Sequence, residues 1–232
     1  MPALLISPHL DDAVFSCGEW LQSHPGTRVL TVFAGLPPDP GQRTDWDAQC
    51  GFSSAGEAVR ARREEDRAAL ALLGCEPCWL SFGDSQYGAT PTVDAVARAL
   101  EAELERHAAQ DPLLFPMGLF HSDHRLVHEA CMAAWRRRPR PALMYEDALY
   151  RGIPGLLQER LAELLRQGCT LTPDKEMTPR AEALKARAVQ CYASQLRAFG
   201  PGGHDDTARP ERRWRFDARP DAASAPQQED DR

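Results

Sequence analysis

Short apolar runs alternate with longer stretches of helical period along the first two-thirds of the chain. The runs are ALLISPH (3–9), RVLTVFAG (28–35), CWLSF (78–82), PLLFPMG (112–118) and ALMYEDALY (142–150). Each is short and nearly continuous in apolar side chains, which predicts strands buried on both faces. Between them, Asp12–Ser23, Ala55–Leu73, Thr92–His107 and Asp123–Arg137 carry Ala, Val and Leu at three- and four-residue spacing. That period predicts helices; Gly74 stands as a C-cap for the second, and Pro139 follows the end of the fourth. Two more helices are predicted at 155–168 and 179–199. Strand–helix alternation implies an α/β fold with a mostly parallel sheet and helices on both faces.

Two segments break the pattern. Residues 37–54 (PPDPGQRTDWDAQCGFSS) are dense in Pro, Gly and Asp and predict an irregular loop. From Gly200 the chain turns Pro-, Gly- and charge-rich with little apolar content. The expectation is one domain over 1–199, followed by a mobile polar tail over 200–232.

Composition narrows the partners. Of 232 residues, 27 are basic and 34 acidic, for a formal net charge of −7. Such a balance shows no bias toward nucleic acid or anionic membrane. The basic run at 136–140 suits the C-terminus of a helix dipole. No stretch approaches the roughly 20 apolar residues of a membrane span. The opening MPALLISPHLDD has only a brief apolar run and no basic leader, so a cytoplasmic location is expected. The seven cysteines are scattered, and the Cys75/Cys78 pair lacks the second pair of a zinc ribbon. Nothing in the sequence sets the oligomeric state.

In open α/β sheets, ligands bind beyond the carboxyl ends of the strands. Two polar clusters fall there: Pro8-His9-Leu10-Asp11-Asp12 after the first strand and His121-Ser122-Asp123-His124 after the fourth. One His and one Asp from the first, with one His from the second, make a three-ligand site of the kind a catalytic zinc uses. The spare Asp of the first cluster can take a proton from water, and the spare His of the second can face substrate. Asp123 can stand behind that second ring as an outer partner. Asp84, after the third strand, reaches the same rim and is a candidate for substrate hydroxyls.

These motifs resemble the PIG-L/LmbE family of zinc N-deacetylases, in the subgroup that reads SPHxDDA. PHLDD and HSDH carry the likeness. Arg62-x-x-Glu65-x-x-x-Ala69-x-x-x-Leu73-Gly74 and Lys185-x-x-Ala188-x-x-x-Tyr192-x-Ser194-Gln195 add to it, in the family's order. The resemblance implies a Rossmann-like three-layer fold and a zinc ion, with Fe(II) as a substitute. It implies His9, Asp12 and His124 as ligands and Asp11 as general base. It makes His121 the charged group that stabilises the oxyanion and protonates the leaving amine, with Asp123 behind it. Arg62 joins Asp84 as a substrate contact. The implied substrate is a small molecule, an N-acetylglucosamine-containing glycoside. Two departures stand out: Ala13 occupies a position that is Glu in many members, and Leu119 occupies one that is Tyr in some relatives. The alternatives are hydrolysis of a non-sugar amide, a thiol conjugate or antibiotic precursor, and a non-catalytic metal- or sugar-binding protein. Two His and one carboxylate also form the facial triad of iron oxygenases, though those sites favour antiparallel double-sheet folds.

Overall fold

The computed structural model describes residues 3–88, 90–175 and 182–218. Its strands are β1 (Leu4–Ser7), β2 (Arg28–Thr31), β3 (Glu76–Trp79), β4 (Leu113–Pro116), β5 (Ala142–Tyr145), β6 (Cys169–Pro173) and β7 (Arg213–Ala218). Its helices are α1 (Asp12–Ser23), α2 (Asp45–Gln49), α3 (Ala55–Leu72), α4 (Val93–Leu104), α5 (Ser122–Arg137), α6 (Leu156–Arg166), α7 (Glu182–Gln190) and α8 (Ala193–Phe199). The sheet runs β3-β2-β1-β4-β5-β7-β6. β1 to β5 are parallel, and β7 is antiparallel to both its neighbours.

The apolar strands are explained by what covers them. Successive side chains of a strand point to opposite faces. Leu4, Ile6, Leu30, Leu113 and Phe115 pack in the core that also takes Val96, Leu100, Val127 and Cys131 of α4 and α5. Leu5, Val29 and Leu114 pack in a second core with Phe15, Trp20, Leu70 and Tyr192. Both faces are dry, so no polar alternation survives in these strands. β3 starts earlier than expected and contains Pro77, which is tolerated because β3 is an edge strand.

The expectation of a mobile tail from Gly200 is corrected for 200–218. β7 fills the sheet between β5 and β6, Phe216 is buried, and the Trp214 indole N–H donates to Glu146 at 2.9 Å. Glu211 accepts from the backbone N–H groups of Glu19 and Trp20 at 2.7 and 3.0 Å, where α1 kinks at Cys17. It also binds the Lys185 ammonium at 2.8 Å. A count of Pro, Gly and charge is blind to this, because the segment is held by buried ion pairs and strand hydrogen bonds rather than by an apolar stripe. Residues 219–232 lie outside the described residues. The helix expected over 179–199 is two, α7 and α8, broken at Cys191–Tyr192; 179–181 also fall outside the described residues.

The two motif segments from α3 and the C-terminal helices dock on each other. Tyr192 donates to Asp66 at 2.9 Å, and Ser194 binds Glu65 through its N–H and hydroxyl. Trp79 donates to the other Asp66 oxygen at 2.8 Å. Burial pushes the Asp66 carboxyl from 3.8 up to about 7, against the pull of those two hydrogen bonds. The unfolded chain therefore ionises this group at a pH where the fold still keeps it protonated. Its contribution to stability is greatest at low pH and is lost as pH rises through that window. Asp66→Asn mimics the protonated form. Thermal unfolding should show the variant equal to the parent near pH 4 and more stable, on the order of a few kcal/mol, near pH 8. A variant no more stable than the parent at the higher pH would refute this reading.

Candidate metal centre and active site

The strand order reverses at β1 and β4, so the crevice beyond their carboxyl ends is where this topology places a ligand. Both polar clusters arrive there. After β1, the Ser7 hydroxyl donates to the His9 carbonyl at 2.6 Å and accepts from the Ala13 N–H at 3.1 Å, which ties the turn into α1. After β4, Gly118 turns at φ +77°; a Cβ there would lie 2.9 Å from that of His128, so the turn fits close against α5 only without a side chain. His121 caps α5, its Nδ1 accepting from the Asp123 backbone N–H at 3.2 Å.

Three nitrogens meet on one carboxylate oxygen. Asp12 Oδ2 lies 3.2 Å from His9 Nδ1 and 3.2 Å from His124 Nε2, and accepts the His9 backbone N–H at 2.9 Å. Ligands about 2.0–2.1 Å from a tetrahedral metal stand roughly 3.3 Å apart, so this set fits one divalent ion. The far nitrogen of each ring is also held by a carboxylate. His9 Nε2 is 3.1 Å from Asp123 Oδ2, and His124 Nδ1 donates to Asp147 Oδ1 at 2.7 Å. Histidines that bind metal are oriented in this way.

The charges agree with a cation at this point. Burial disfavours charge on both rings, yet Asp12 and Asp123 hold His9 well above the usual imidazole range, and Asp12 and Asp147 raise His124 to about 9. Burial would lift Asp12, but the two rings hold it well below the usual carboxylate range.

Asp11 is 7% exposed and lines the cavity of about 480 Å³ that the centre opens into. Among the described residues its carboxylate accepts no hydrogen bond. Burial and the neighbouring Asp12 push it up to about 7. His121 lines the same cavity and is lowered by burial and by His9 and His124. Because its Nδ1 accepts from a backbone N–H, its proton sits on Nε2.

Here the expected pairing changes. The Asp123 carboxylate stands against His9 and against the Ser85 hydroxyl at 3.0 Å, not behind His121. It is the Asp123 backbone N–H that orients His121, and a charged His121 would set two donors against each other at Nδ1. Arg62 is buried at the cavity wall, 3.4 Å from Asp47 and 3.3 Å from the Cys50 sulfur, so it ties the 37–54 loop to α3. Asp84 lines the cavity and accepts from Gln86 through both oxygens, capping a short 3₁₀ turn at Ser85–Tyr87. His128 donates to the Pro116 carbonyl, and burial lowers it to about 3; it is a neutral core residue.

Asp147 and Tyr150 were not read from the sequence as site residues. Asp147 is 1% exposed, and its second oxygen accepts the Gly118 and Leu119 N–H groups at 2.9 and 3.0 Å. Tyr150 lines the cavity, its ring edge-on to His124 at 5.2 Å. Burial and the surrounding carboxylates push its phenol upward, so it keeps its proton. The signal was the polar pair Glu146-Asp147 at a strand end on the same rim, hidden by reading 142–150 as one strand.

Residues 4–135 match the family described as PIG-L, GlcNAc-PI de-N-acetylase. The 2'-N-acetylparomamine deacetylase of Streptomyces fradiae is 30% identical over 225 residues, 89% of this chain and 75% of that protein. The zinc-inhibited form of teicoplanin deacetylase Orf2 superposes with a TM-score of 0.82 at 24% identity, over 96% of this chain and 100% of that one. The A40926 pseudoaglycone deacetylase Dbv21 superposes at 0.72 with 27% identity, over 93% and 96%.

Proposed function

The chain belongs to the PIG-L family of GlcNAc-PI de-N-acetylases, and from that premise we propose that it is a metal-dependent hydrolase removing acetyl from an N-acetylated amino-sugar glycoside. The observation that carries the reading is the meeting of His9 Nδ1 and His124 Nε2 on one Asp12 oxygen, beside an Asp11 carboxylate that accepts no hydrogen bond among the described residues. Zinc suits two imidazoles and a carboxylate, and Fe(II) suits the same set. A divalent ion held there supplies Lewis-acid polarisation of the acetyl carbonyl and makes water acidic enough to attack near neutral pH.

The rest is done by side chains. Asp11 takes a proton from the attacking water and passes it to the departing amine nitrogen as the C–N bond breaks. His121 donates from Nε2 to the oxygen that becomes negative. Asp123 and Asp147 keep His9 and His124 in the orientation in which Nδ1 of one and Nε2 of the other face Asp12. Arg62 and Asp84 line the wall on which sugar hydroxyls lie. The products are acetate and a free amine. The relatives' substrates, an N-acetylparomamine, teicoplanin and the A40926 pseudoaglycone, support a glycoside over a non-sugar amide. Among the described residues no helix is long and apolar enough to cross a membrane.

Acetate release from a panel of N-acetylglucosaminides tests this. Activity should vanish in chelated protein and return on adding zinc. One ion bound per chain with no acetate released from any member would refute the amino-sugar reading.

A further inference from the structure

Tyr150 is placed with more care than packing requires. Only two non-glycine residues among those described have positive φ, Phe120 at 58° and Leu149 at 70°. They immediately precede His121 and Tyr150. Backbone strain of this kind persists where surrounding structure enforces it, and it collects at functional sites. The enforcement is visible around Tyr150. The Ala148 N–H donates to Ser16 Oγ at 3.0 Å, the Leu149 N–H donates to Asp206 at 3.0 Å, and Arg151 grips the same Asp206 oxygen at 2.8 Å. Asp147, at the start of the segment, is held by the Gly118 and Leu119 N–H groups.

The result is a ring fixed on both sides. Tyr150 stacks on Phe120, with centroids 5.4 Å apart and planes at 27°. It stands edge-on to His124, and its centroid is 6.4 Å from that of His121. Its hydroxyl has no hydrogen-bond partner among the described residues, and the residue lines the cavity. A phenol held between two rings, without a hydrogen-bond partner among the described residues and beside the ring that donates to the reacting oxygen, is a donor awaiting an acceptor.

We propose that Tyr150 is a catalytic residue: its hydroxyl donates a hydrogen bond to the acetyl oxygen as that oxygen becomes negative, sharing the role with His121 Nε2. This rests on the deacetylase reading. No proton leaves Tyr150; it donates a hydrogen bond to an oxygen on which charge accumulates and keeps its own proton throughout. Phe120, 63% exposed, is the other half of the device: its ring backs the phenol and keeps it turned to the cavity. Leu119, two residues before His121, is buried and offers no donor to the cavity.

Tyr150→Phe tests it, because the ring, the stack and the edge contact all remain while the donor goes. The expected result is a fall in kcat of about tenfold or more, with KM, bound metal and melting temperature unchanged. Inhibition by methylphosphonate, a small tetrahedral anion, should weaken by a similar factor. Unchanged kcat in the variant would overturn the proposal. If the parent protein releases no acetate at all, the deacetylase reading fails separately. Methylphosphonate affinity, measured by calorimetry, then decides: weaker binding in the variant supports the donor role, and equal binding overturns it.

Discussion

Asp11→Asn lowers the rate of acetate release by about 10³-fold and leaves the metal in place. Asparagine has the same shape and loses only the base. No hydrogen bond is lost, because the Asp11 carboxylate has none among the described residues. The helix start does not depend on it either: Asp11 sits at the N-cap of α1 without a side-chain capping bond. The proposed ligand set His9, Asp12 and His124 is untouched, so metal content by elemental analysis should stay at the parent value. In the parent, activity needs the ionised carboxylate. Burial and Asp12 set its ionisation near 7, and a cation alongside draws it lower. Activity should therefore fall as pH drops through that value, and this acid limb should be missing from the residual activity of the variant. Retention of more than about a tenth of the parent rate would move the base elsewhere.

Asp147→Asn weakens metal binding about 10- to 100-fold while the protein stays folded. The reason is a conflict of donors. One Asp147 oxygen accepts two backbone N–H groups, so in the variant the amide oxygen must take that position. The amide NH2 is then left facing His124 Nδ1, where Oδ1 accepted a proton at 2.7 Å. Two donors cannot meet, so the His124 ring gives up its Nδ1 proton and carries one on Nε2. That is the nitrogen facing Asp12, and a protonated nitrogen cannot ligate a metal. Competition against a chromophoric chelator reads the affinity directly. Asp147→Glu, which keeps the charge and only lengthens the arm, should bind more tightly than the asparagine variant. Equal affinity of the Asn variant and the parent would show that the second carboxylate plays no part in holding His124.

The first polar cluster was legible as a cluster because its information is local. SPHLDDA puts a strand end, a tight turn and a helix start within a few residues, and Ser7, His9 and Asp12 close hydrogen bonds among themselves there. HSDH is local in the same way. The partner of His124 is 23 residues on, two residues past β5, whose four residues look like any other strand. Asp123 is the clearer lesson. Sequence proximity pairs its carboxylate with His121, but its carboxylate crosses the crevice to His9, 114 residues away, and its hydrogen bond to His121 comes from the backbone N–H. The segment 200–218 was misjudged for a related reason. Composition measures how much apolar surface a segment can bury, and this one is held by Glu211 in a helix kink and by a vacant place in the sheet.

By itself the sequence determined the alternation of buried strands and amphipathic helices, hence a parallel sheet, and the two polar clusters that end β1 and β4. It also fixed which polar residue types arrive at that rim, since a turn of few residues admits few arrangements. Only the tertiary structure decided which carboxylate stands behind which ring, which nitrogen of each ring is free, and that a tyrosine from a third strand end enters the cavity. Those choices depend on β1, β4 and β5 lying in one sheet, with adjacent strands about 5 Å apart. Neighbourhood across a sheet is set by strand order, and no stretch of the chain encodes strand order within itself.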